Sequence, residues 1–67
     1  MEKLDYHTLT HALQELKRER AVRDVVYPKL IAKHQITETQ AVARNRNLDN
    51  AIKALEGLCE LSQPRLI

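Results

Sequence analysis

Apolar residues recur along this chain with the period of a helix. Leu9, Leu13, Leu16, Arg20, Arg23, Tyr27 and Leu30 follow one another at alternating spacings of four and three. That spacing lays one stripe along one face of a helix, and Ala12, Val26 and Ile31 widen it. A second stripe runs through Ala41, Asn45, Leu48, Ile52, Leu55 and Cys59 at the same spacing, widened by Ala51 and Leu58. The first stripe is apolar at both ends and cationic in its middle. Ala-Leu-Gln-Glu-Leu-Lys-Arg-Glu-Arg-Ala, residues 12–21, contains only good helix formers.

Residues 32–40 separate the two patterns and carry a helix-start signal. The Thr37 hydroxyl can accept from the free N–H groups of a new helix. Gln40 can reach back to the Thr37 N–H, and Ile36 sits where a hydrophobic staple would sit. Glu38 falls in the first turn, where negative charge complements the helix dipole. Upstream, Asp5 is the first N-cap, with Leu4 and Leu9 placed as its staple.

Two residues complicate the pattern. An interior proline removes a helical hydrogen bond and clashes with the carbonyl four residues back, so Pro28 must either kink the first helix or split it. A restart at Pro28 lacks a cap, because Val26 and Tyr27 offer no suitable acceptor, and the stripe stays in phase across it. One long helix kinked near Pro28 is therefore expected. Gly57 could end the second helix or lie inside it at a cost of ~1 kcal/mol. The stripe continues through Leu58, Cys59 and Leu61, which favours an end nearer Ser62.

The expected fold is all-α: an antiparallel two-helix hairpin, one domain over residues 1–67, with helices at about 6–33 and 38–61 and a frayed tail at 62–67. Folding about His34 and Gln35 brings together positions whose numbers sum to about 71, so Leu30 faces Ala41, Tyr27 faces Asn45 and Leu16 faces Leu55. Arg20, Arg23 and Asn45 form a polar group in mid-seam, with Asp49 and Glu19 as the nearest counter-charges. Val22, Val25, Val26, Val42 and Leu58 fall off this seam. Two apolar faces on one hairpin predict a homodimer closing into a four-helix bundle.

Composition narrows the function classes. Of 67 residues, 43% are hydrophobic and 30% charged, a balance that suits a folded chain and not a disordered one. There is no Phe or Trp, so the core must come from Leu, Ile, Val and Ala, and it will be thin at this length. The single cysteine, Cys59, excludes an internal disulfide and a cysteine-built zinc site, and it suits a reducing compartment. No apolar run approaches the ~20 residues a membrane span needs. The first residues lack the apolar stretch of a signal peptide, so the cytoplasm is expected.

Candidate chemistry is sparse. His7 and His11 share a helix face at i, i+4 but lie opposite the stripe, and no third ligand or metalloprotease glutamate accompanies them, so they read as solvated and no metal is expected. No paired carboxylates, phosphate-cradling loop or nucleophile grouping occurs, and Cys59 has no adjacent base. An enzyme is not expected, nor any cofactor. Tyr27 beside Pro28, with Arg23 and Asn45 near, could form a notch for a ligand, though packing explains it more simply. Lys17, Arg18, Arg20, Arg44 and Arg46 could meet phosphates as a nucleic-acid interface. Glu15, Glu19 and Asp24 are interleaved with them, the net charge is only +2, and a structural role for the seam arginines is favoured.

Arg-Ala-Val-Arg-Asp-Val-Val-Tyr-Pro-Lys-Leu-Ile-Ala-Lys from Arg20, then Ile-Thr-Glu-Thr-Gln-Ala from Ile36 and Leu-Asp-Asn-Ala-Ile-Lys-Ala-Leu from Leu48, resemble short phage- and prophage-encoded helical-hairpin proteins with a Val-Tyr-Pro-x-Leu element. The resemblance covers about residues 16–56 and implies a genomic setting, not an activity. Many such proteins carry Gly in the turn, where this chain has His34 or Gln35. The function expected is that of a small interaction or accessory protein with a protein partner still to be identified. It would act through self-association and a partner surface at Val22, Val25, Val26 and Tyr27, with nucleic-acid binding as the alternative.

Overall fold

Two helices, α1 over Tyr6–Ala32 and α2 over Glu38–Ser62, fold back on each other as a hairpin. They are seen in a computed structural model that describes residues 5–63, and no strand occurs among those residues. Each helix begins and ends where local chemistry dictates.

Asp5 is extended, and its Oδ1 accepts the Thr8 N–H at 2.8 Å while its carbonyl accepts the Leu9 N–H at 3.0 Å. This satisfies donors that the first turn of any helix leaves free. The Thr8 hydrogen bonds hold the Asp5 carboxyl below its ordinary value of 3.8. Leu9 is buried, as the staple requires; its expected contact Leu4 lies outside the described residues, as do 64–67 of the expected tail. Ser62 is helical and closes α2, with Gln63 as an extended cap.

The corner is built from backbone hydrogen bonds. The Gln35 N–H donates to the Leu30 carbonyl at 2.9 Å and the His34 N–H to the Ile31 carbonyl at 3.0 Å. This crossed pair is the Schellman arrangement, and it requires its penultimate residue to be left-handed. That residue is His34, at φ 60°, a region that glycine enters at no steric cost. Three residues later the capping box closes: Gln40 N–H donates to Thr37 Oγ1, and Thr37 N–H to Gln40 Oε1, both at 3.0 Å. Ile36 and Ala41 take the staple positions on either side, with Ala41 buried.

α1 runs unbroken through Pro28 for 27 residues, about 40 Å at ~1.5 Å per residue. The helix does not restart at the proline. Pro28 is exposed, so the Asp24 carbonyl that loses its helical donor can turn to water. Gly57 lies inside α2, and a Cβ there would meet nothing within 4 Å.

The core is a strip one side chain deep. Leu9, Ala41, Leu48 and Cys59 are buried, at 6–8% exposure, and none of the described residues falls below 2%. Leu13, Leu16, Leu30, Ile31, Ile52 and Leu55 flank them, half-buried. A pair of helices touches along one line, so most stripe residues keep one side in water.

Two backbone positions are therefore suboptimal and correctable. His34→Gly is expected to stabilise the hairpin by about 0.5–1 kcal/mol by removing left-handed strain. Gly57→Ala is expected to add about 1 kcal/mol of helix propensity. Urea unfolding at fixed protein concentration checks both, and a lower midpoint for either variant refutes its rationale.

Candidate functional site

The middle of the hairpin is polar, and its geometry is set by two arginines on α1. Arg20 and Arg23 are three residues apart, so they stand about 60° apart around the helix and straddle the apolar stripe. Arg20 donates from Nε to Asp49 Oδ1 on α2 at 2.9 Å and from Nη1 to Asp24 on its own helix. Its hydrogen bonds to Asp24, then to Asp49, push the Arg20 guanidinium further toward its charged form. Arg23 donates from Nη1 to the Arg44 carbonyl on α2 at 3.0 Å and from Nε to Glu19 at 3.2 Å. Its guanidinium carbon also lies 5.4 Å from the centroid of the Tyr27 ring, a cation–π contact.

The expected counter-charges, Asp49 and Glu19, are thus the ones used, with Asp24 added. Later residues of α1 bond earlier residues of α2, which fixes the antiparallel sense. The bonded pairs sum to 69 and 67 rather than about 71, offsets of two and four residues, up to about one helical turn.

Asn45 departs from expectation. Although it lies in the mid-seam polar group, its Oδ1 is buried and accepts no hydrogen bond, from the Tyr27 hydroxyl or from any other described donor. Tyr27 instead packs under Arg23. The expected notch does exist: Arg23, Tyr27, Pro28 and Asn45 line one shallow groove of about 320 Å³, together with Ile31 and Val42.

The partner-surface residues spread around α1. Tyr27 is half-buried in the seam. Val26 (37% exposed) and Val22 (47%) share one flank, four residues apart, and Val25 (60%) points away from α2. The nucleic-acid candidates also disperse. Arg20 is neutralised by two aspartates, and Arg18 pairs with Glu15 at 3.4 Å in solvent, where such a bridge adds little. Arg44 and Arg46 are two residues apart, about 200° around α2, and so lie on opposite flanks. Among the described residues neither forms an ion pair, nor does Lys17.

His7 and His11 are exposed, and no group of three or more His, Cys, Asp or Glu that could hold a metal occurs among the described residues. Cys59 is a buried free thiol in the seam. No helix of the described residues is long and apolar enough to cross a membrane. Sequence reasoning missed the Arg23–Arg44 carbonyl bond, because a main-chain acceptor leaves no mark in the sequence. Comparison with family models, with curated proteins and with solved structures returns no match.

The orphaned Asn45 oxygen generates a prediction. A buried acceptor without a donor costs about 1–3 kcal/mol. Asn45→Leu removes it and widens the stripe, so the variant should be more stable by about 1 kcal/mol. A variant melting lower than the parent would show that Asn45 has a partner in solution.

Proposed function

We propose that the protein is a non-enzymatic helical accessory protein that works by self-association, most simply as a homodimer closing into a four-helix bundle. The observation carrying this reading is surface left uncovered. A compact monomer of 7.8 kDa has an accessible area of about 4,400 Å² by the usual scaling. This chain exposes 5781 Å². The excess, roughly 1,400 Å², is more than the ~800 Å² each partner contributes to a standard interface. Val22, Val25, Val26, Val42, Leu58 and Leu61 are all at least 37% exposed.

Further features support the same reading. The free cations are dispersed, which suits a protein partner better than a phosphate backbone. A lone buried thiol suits a reducing cytoplasm. Pro28 supplies a place for α1 to bend around a neighbouring helix. The resemblance of Val26-Tyr27-Pro28-Lys29-Leu30 and its flanking segments to phage- and prophage-encoded hairpins gives the setting.

Size-exclusion chromatography with light scattering tests the reading. A mass near 16 kDa, twice that of the chain, is expected at micromolar concentration. A stable species near 8 kDa at hundreds of micromolar would overturn it.

A further inference from the structure

The corner closes the hairpin at the one described residue whose backbone is strained. His34 sits at φ 60°, in the left-handed region, with an imidazole on its Cβ. Yet the corner contains no residue that forbids a helix. Lys33, His34, Gln35, Ile36 and Thr37 include neither Gly nor Pro, the two strong helix breakers. The corner is held by crossed bonds, from the Gln35 N–H to the Leu30 carbonyl and from the His34 N–H to the Ile31 carbonyl. Straightening it only exchanges these two acceptors: in a continuous helix His34 donates to Leu30 and Gln35 to Ile31, and His34 leaves the left-handed region.

The two apolar stripes are also in phase across the corner. Leu30 ends the stripe of α1 and Ala41 begins that of α2, and the eleven residues from one to the other make close to three full turns. His34 and Thr37 fall between them, so the steps are four, three and four. On one uninterrupted helix the stripe from Leu9 to Leu30 and the stripe from Ala41 to Cys59 would therefore share a single face. In the hairpin each half covers the other. A second copy can do the same, because two such helices paired antiparallel set α1 of each chain against α2 of the other. In the register that places Arg20 opposite Asp49, the bond from Arg23 to the Arg44 carbonyl is also remade between chains. The same register buries Leu9, Ala41, Leu48 and Cys59 again.

We infer that the hairpin opens at its corner into one continuous helix that pairs antiparallel with a second opened copy, exchanging α2 between chains. The inference rests on the self-association reading and gives it a second surface, the seam itself. Release of His34 from its left-handed conformation favours opening. Loss of the Thr37–Gln40 box and the joining of two chains oppose it, so protein concentration sets the balance.

Length separates this form from a dimer of closed hairpins side by side. The closed chain extends 53 Å, whereas residues 6–62 as one helix span about 85 Å at ~1.5 Å per residue. His34→Gly and His34→Ala move the balance in opposite directions, because glycine suits the closed corner and alanine suits the helix. Both variants and the parent are refolded at hundreds of micromolar and read by light scattering and small-angle X-ray scattering. The alanine variant is expected to give a species of about 16 kDa, twice the chain mass, with a maximum dimension of about 85 Å. The glycine variant should hold about tenfold less of that species than the parent. In the parent, without any substitution, the long species should grow with concentration. Dimers that stay compact in the parent and in the alanine variant would overturn opening and leave self-association standing. A parent and an alanine variant that are both monomeric would overturn the two together. Equal amounts of the long species in the glycine and alanine variants would overturn the control assigned to the corner.

Discussion

Everything in this molecule follows from two long helices having only one line of contact. Each can offer the other about one side chain per turn, and a strip that narrow leaves even its best residues partly wet. Leu48, at the centre of the seam, still keeps 8% of its surface in water. Hydrophobic area on a single line cannot specify how far one helix slides along the other, because Leu, Ile and Ala at heptad spacing pack comparably one turn up or down. Register must come from elsewhere.

It comes from the corner and from the arginines. The corner fixes where the chain turns: main-chain bonds from His34 and Gln35 close α1, and the Thr37–Gln40 box opens α2 within four residues. Arg20 and Arg23 then reach across at mid-seam to a carboxylate and to a main-chain carbonyl. A slip of one turn would leave both guanidinium groups, each less than 30% exposed, without their partners on α2. Each would keep its carboxylate on α1, Asp24 or Glu19, but lose its bond across the seam, so the polar middle favours the one alignment that keeps both.

Much of this was readable from residue types. The 4-3 spacing gave both helices, Asp5 and Thr37 marked their starts, and the phase across Pro28 showed that α1 continues. These signals are local, and local chemistry is written in neighbouring residues. Asp49 and Glu19 were also foreseeable, because opposite charges facing one seam have few other places to go. The Arg44 carbonyl and the orphaned Asn45 oxygen were not. Both depend on an alignment shifted by a few residues from the simplest folding of the chain, and on the Tyr27 ring being taken by Arg23. His34 was legible only as one of two turn residues; which of them adopts positive φ is decided by the hydrogen bonds that close α1.

Cys59 has a consequence of its own. It is the one thiol in the sequence, and it sits in the seam toward the open end of the hairpin, far from the corner that ties the helices together. Packing of the helix tips shields its sulfur, and their parting opens it to a reagent. Its alkylation rate is therefore a clock for breathing at the untethered end, set by the molecule itself and readable without any label.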